Sequence, residues 1–258
     1  MVYSEIGKSN PLFFLIYESS NLLIIQFSNT MTMTNKILTH LQSLANPVNV
    51  AGMARFGIRP ARTVLGISVK QLREIARTTR AEVKDKAERH ALAADLWASG
   101  IHEARILASI LDEPALVTEA QMEAWAAEFD SWDIVDQCCG NLFERTPFAY
   151  AKALEWADRE EEFVRRAAFS MMAYIASHQK KLPDEAFAPF FQAILARAPD
   201  ERNFVKKAVN WALRGIGKRS ETLRQQAMQV ARQMQALDSR AARWNAADTL
   251  RELESRQL

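Results

Sequence analysis

Cysteine is nearly absent from this 258-residue chain: only Cys138 and Cys139 occur, side by side. Two adjacent thiols cannot build a disulfide framework and lack zinc-ligand spacing, so the sequence points to a reducing cytoplasmic setting and to no structural metal. Glycine and proline are scarce too. There are eight of each, 16 together, where average usage would supply about 31, and this disfavours a turn-rich all-β fold. No uninterrupted apolar run reaches the ~18 to 20 residues of a membrane span. The net charge is only +2, so the chain is no overall polycation. A phosphate-cradling glycine loop and a dinucleotide fingerprint are also missing. What is present is ordinary globular composition, 48% hydrophobic and 25% charged, in a chain long enough to hide roughly three quarters of its extended surface.

Charge is missing from one place in particular. Residues 1–34 hold only Glu5, Lys8 and Glu18, whereas the other 61 of the 64 charged side chains lie beyond. Two apolar runs, Leu12 to Tyr17 and Leu22 to Phe27, are interrupted by Glu18-Ser19-Ser20-Asn21. We expect 1–34 to be a poorly ordered extension or the result of an upstream start, with a single repeat domain over 35–258.

From Asn35 onward the apolar residues recur at helical spacing. Leu223, Ala227, Val230, Met234 and Leu237 fall on one helical face, and Phe187, Phe190, Phe191, Ile194 and Leu195 repeat the pattern. Ser68 with Gln71 and Thr118 with Gln121 have capping-box spacing, and Thr146 before Pro147 predicts another helix start. The reading is roughly a dozen helices joined by short loops.

A weak internal repeat follows. Arg105, Asp136, Arg166 and Lys207 each occupy the third place of a similar helical segment, at intervals of 31, 30 and 41 residues. Such spacing suits two-helix repeats of the HEAT kind, an all-α, right-handed α-solenoid in which one helix of each pair lines a concave surface. In that register the four side chains share a groove. Charge is also segregated: residues 55–80 carry seven basic side chains against Glu74, 202–224 seven against Glu221, and 91–130 eight acids against Arg105. Clustered cations would neutralise phosphates and release counterions, although solvated helix faces explain the same pattern equally well.

Two constellations could carry chemistry. After a helix start at Asp130 or Ser131, Trp132 and Asp136 stand at i and i+4 on one face, with Asp133 placed for helix-dipole stabilisation. Lys207, Trp211, Arg214 and Lys218 form a polar stripe containing an indole, beside an apolar face of Val205, Ala208, Val209, Ala212 and Ile216. An aromatic among cations suits stacking on a base or a cationic ligand, with its neighbours on phosphates. Trp97, Trp125, Trp156 and Trp244 read as core, and Cys138 and Cys139 as buried.

The segments Ser131-Trp132-Asp133-Ile134-Val135-Asp136, Phe163-Val164-Arg165-Arg166-Ala167-Ala168 and Asn203 to Arg214 resemble the AlkD-like HEAT-repeat DNA glycosylases, the DNA alkylation repair proteins, from about Asn46 to Leu253. The resemblance implies that the family's catalytic aspartate falls on Asp136, its lesion-facing tryptophans on Trp132 and Trp211, and its phosphate-side arginine on Arg166. In the implied mechanism Lys207, Arg214 and Lys218 also grip phosphates, and the groove register adds Arg105 as a DNA contact. Where family members carry a tyrosine in the N-terminal helices, this chain has Phe56, which removes a hydroxyl near the DNA backbone. The implied activity is hydrolysis of the N-glycosidic bond of N3- or N7-alkylated purines in double-stranded DNA, by a monomer needing no cofactor, metal or membrane. The resemblance leaves two other readings open, a non-catalytic binder of branched or distorted DNA and a protein-interaction scaffold.

Overall fold

The computed structural model describes residues 13–18, 21–26 and 31–255. Within the first 34 residues, β1 (Phe13–Glu18) and β2 (Asn21–Gln26) pair antiparallel, with Phe13 opposite Gln26 and Glu18 opposite Asn21, while the expected extension falls largely outside the described residues. Their Phe, Leu, Ile and Tyr content suits a pleated ladder.

Thirteen α-helices follow among the described residues: α1 (Met33–Ser43), α2 (Pro47–Arg55), α3 (Val69–Glu82), α4 (Lys86–Ala98), α5 (His102–Leu111), α6 (Glu119–Ala127), α7 (Trp132–Asn141), α8 (Ala149–Ala157), α9 (Glu162–His178), α10 (Ala188–Arg197), α11 (Asn203–Gly217), α12 (Glu221–Gln235) and α13 (Arg240–Glu254). Their starts are written in the sequence. Thr32, Ser68, Asp85, Thr118, Ser220 and Ser239 each accept a backbone N–H of the first turn, and Ser68 with Gln71 closes a full capping box. Thr118 makes only half of one: its hydroxyl accepts the Gln121 N–H at 3.1 Å, while the Gln121 side chain is turned to Asp112, its Nε2 donating to Oδ2 at 2.7 Å. The start predicted at Thr146 is displaced. A 3-10 turn, Phe143–Arg145, ends at Thr146, whose hydroxyl donates to the Phe143 carbonyl, and α8 begins only at Ala149.

The helices form an α-solenoid of HEAT-like pairs. α4 packs on α5, α8 on α9, α10 on α11 and α12 on α13, while α5, α7, α9, α11 and α13 stack in sequence. This stack is where apolar burial is densest. On α11 the predicted apolar face of Val205, Ala208, Val209, Ala212 and Ile216 is wholly buried, and each large aliphatic side chain there contributes about 1.5–3 kcal/mol of transfer free energy. Trp97 and Trp125 stack with centroids 4.0 Å apart inside the N-terminal repeats, and Trp156 is fully buried against Phe143. No helix among the described residues is long and apolar enough to cross a membrane.

The loop before α3 is fixed from the stack. Glu103, fully buried at the start of α5, accepts the backbone N–H groups of Leu65, Gly66 and Ile67 at 2.9, 2.6 and 3.3 Å. Gly66 has φ +79°, and a Cβ there would sit 2.4 Å from the Asn46 carbonyl oxygen, so the turn requires glycine. α2, which precedes this loop, buries none of its own residues.

Candidate active site

α7 starts at Trp132, with Ser131 as its N-cap residue in extended conformation. The Ser131 hydroxyl donates to Asp133 Oδ1, and Asp133 Oδ2 lies 2.8 Å from Nε2 of the fully buried His102. Asp133 therefore does more than complement the helix dipole: it ties the start of α7 to α5. Burial pushes its carboxyl up, but the His102 and Ser131 bonds outweigh this and hold it below the usual range.

Asp136, one turn further, faces α9. Its Oδ1 accepts from Arg166 Nε at 3.1 Å and from the Ser170 hydroxyl at 2.8 Å, and its Oδ2 accepts from Arg166 Nη2 at 2.7 Å. The Asp136 and Arg166 side chains are 15% and 7% exposed. A carboxylate oxygen has about two acceptor positions, so Oδ1 is filled and Oδ2 keeps one free. Burial raises the Asp136 carboxyl above its ordinary value, and Arg166 and Ser170 offset this only in part. The site thus holds a carboxylate fixed in orientation yet more basic than one in water.

Arg166 was expected on a DNA phosphate. Its guanidinium is instead spent within the fold, twice on Asp136 and once on the Phe204 carbonyl at 2.8 Å. The reason is proximity: Arg166 lies on α9 directly opposite Asp136, and a buried carboxylate recruits the nearest bidentate donor.

A half-buried indole, Trp132, lies beside this pair, and a second, Trp211, packs further along α9. Arg166 Cζ lies 5.6 Å from the Trp132 ring centroid, and Trp132 Nε1 donates to the Phe56 carbonyl at 3.1 Å. Trp211 meets the edge of Tyr174 at 5.0 Å. Tyr174 belongs to the same α9 stripe as Arg166 and Ser170, at i+8 and i+4, and can lie against α7 only because Gly140 has no Cβ; one there would stand 2.4 Å from the ring. Burial and the nearby Asp136 charge push the Tyr174 hydroxyl well up. The sequence reading missed Ser170 and Tyr174, although their spacing from Arg166 marks a common helical face.

The remaining predicted DNA contacts divide sharply. Arg105 is corrected: it is fully buried, donates to Asp130 Oδ1 at 3.1 Å and to the Glu128 carbonyl at 2.7 Å, and lies 4.4 Å from the Trp97 ring. All ten residues of α5 are buried because α3 and α4 both pack upon it, so this helix offers no groove-facing position. Arg214 and Lys218 reach the surface but are neutralised by α13, Arg214 by Asp248 and Glu252 at 2.7 and 2.8 Å and Lys218 by Glu252. Lys207 is exposed and has no ion pair or hydrogen bond among the described residues. Phe56 is 76% exposed. Trp97, Trp125 and Trp156 are core as predicted, but Trp244 is not: 43% of it is exposed. Cys138 and Cys139 are fully buried, and burial raises both thiols far above their ordinary range.

Comparison with known proteins places this geometry. One solved structure, described as "a new family of proteins related to the HEAT-like repeat DNA glycosylases with affinity for branched DNA structures", superposes with a TM-score of 0.66 at 14% identity, over 84% of this chain and 94% of that one. A second, smu.31 from Streptococcus mutans UA159, gives a TM-score of 0.51 at 18% identity, over 82% and 98%. At these identities the likeness establishes the shared fold. No curated protein sequence matches the chain. The family model for the DNA alkylation repair enzymes matches residues 37–245, and the chain belongs to that family.

Proposed function

We propose that the chain hydrolyses the N-glycosidic bond of purines made cationic by alkylation at N3 or N7 in duplex DNA. The observation that carries this reading is Asp136: a nearly buried carboxylate, oriented by Arg166 and Ser170, with one acceptor position of Oδ2 unused and the half-buried Trp132 indole against its Arg166 partner.

The chemistry asks for little more. A cationic base is a good leaving group, so the electron pair of the C1′–N bond passes to the purine ring, which departs neutral. The sugar left behind resembles an oxocarbenium ion, which Asp136 stabilises by its charge. The oxygen of water then bonds to C1′, and the water proton passes to Oδ2, whose basicity is raised by burial. Trp132 and Trp211 favour a cation at their ring faces. Arg166 serves as a positioning residue, and Lys207 remains free for a phosphate.

A second reading is favoured by the same ion pair. With its charge balanced by Arg166, Asp136 would be a structural acid, and the chain a non-catalytic binder of branched or distorted DNA, the affinity described for the structural neighbour. One experiment separates them. Release of 7-methylguanine and 3-methyladenine from methylated duplex DNA is measured for wild type and Asp136→Asn, with folding followed by thermal melting. The glycosylase reading expects release from wild type and a loss of about 100-fold or more in the folded variant, the scale of an electrostatic transition-state contact. No release from wild type, or equal release from both, rejects it.

A further inference from the structure

Trp244 stands on the second turn of α13, outside the Asp136 site and with no part in the chemistry above. Large aromatic side chains are normally buried, and those of Trp97, Trp125 and Trp156 are. Trp244 is 43% exposed, and the Lys206 ammonium lies 5.1 Å from its ring centroid. Exposure of an indole under a cation calls for a ligand with a flat face and negative charge.

The surrounding charges favour such a ligand. Arg240, one turn before Trp244, is 92% exposed and has only a distant carboxylate, Glu201 at 3.9 Å. Two acids lie close by: Glu201, fixed by the Ala241 N–H at 2.9 Å and the Ser239 hydroxyl at 3.2 Å, keeps its charge beside Arg240 and Lys206, and Asp238 faces Arg243 at 3.4 Å. Lys206, Arg240 and Arg243 thus stand against these two acids, while Asp248 is held by Arg214 and Arg251. Cationic character therefore persists around the indole, whereas further along α11 the acids of α13 cancel it at Arg214 and Lys218.

We infer that Trp244 with Lys206 is a stacking site for an unpaired nucleobase, at the α11–α13 end of the stack beyond the Asp136 site, with Arg240 on a flanking phosphate. Within a duplex each base is already covered on both faces by its neighbours. An exposed indole can stack only where a base is free, at a single-stranded tail, a gap or a branch point. The inference rests on the reading of the chain as a DNA-binding protein, and it adds a preference for duplex joined to single strand.

The test measures binding of the full chain to two DNAs, a blunt duplex and the same duplex with a single-stranded tail of about six nucleotides carrying 2-aminopurine. Wild type should bind the tailed DNA more tightly and change the 2-aminopurine fluorescence. Trp244→Ala should weaken tailed binding about ten-fold, the effect of losing one base–aromatic stack, while blunt binding stays within about two-fold. Trp244→Phe should retain most of the preference, and Lys206→Gln should reduce it. Equal weakening of both DNAs, no weakening of either, or a change in self-association by sedimentation with DNA binding intact would overturn the inference alone. If wild type binds neither DNA at low salt, the DNA-binding reading itself fails.

Discussion

Replacing Arg166 by methionine isolates the interaction on which the site depends. The substitution keeps the aliphatic stem but removes three hydrogen bonds, two to Asp136 and one to the Phe204 carbonyl. Asp136 retains only the Ser170 hydroxyl, in a setting where 15% of its side chain is exposed. Removing one partner of a buried ion pair costs about 3–5 kcal/mol, and the surviving Ser170 bond favours the lower end. The pH dependence has a definite sign. In wild type the Asp136 carboxyl is already raised by burial above its ordinary value of 3.8, so its stability contribution is fully present below that value and is lost as pH rises through the folded one. Without Arg166 the folded value rises further and the loss extends to higher pH. Urea unfolding near pH 5 and near pH 8 should therefore show the gap between wild type and Arg166→Met widening from acid to neutral solution. The acid limb of the excision pH profile should move upward in the same variant. Combining it with Asp136→Asn should give less than the summed loss, with a coupling of about 2 kcal/mol. A gap that is independent of pH, or below about 1 kcal/mol, would refute the account of this pair.

Two further outcomes test the geometry around it. Gly140→Ala would set a Cβ 2.4 Å from the Tyr174 ring; forced repacking should cost about 1–3 kcal/mol and alter tryptophan emission through Trp211, and an unchanged melting curve would show that the contact is not needed. Among the cations of α11, Lys207→Ala should lower DNA affinity and reduce the salt slope by about 0.9, whereas Arg214→Ala, already neutralised by Asp248 and Glu252, should change that slope little. Equal slopes for the two variants would contradict this division.

Much of this molecule follows from local rules. Helical periodicity, cap residues such as Ser68 and Thr118, and the apolar faces of α11 and α12 are read from neighbours within a few positions, because a helix closes its own hydrogen bonds and needs only a face to bury. The placing of Trp132 and Asp136 on one face of α7 follows from the same arithmetic. Sequence alone does not say what packs over each face. α3 and α4 cover α5 and turn Arg105 from a presumed groove cation into a core residue. α13 brings Asp248 and Glu252 against Arg214 and Lys218, and α9 brings Arg166 and Ser170 onto Asp136. Those pairings join residues 25 to 38 positions apart. Which cation is spent on which acid, and which indole is left in water, is settled only when the repeats stack.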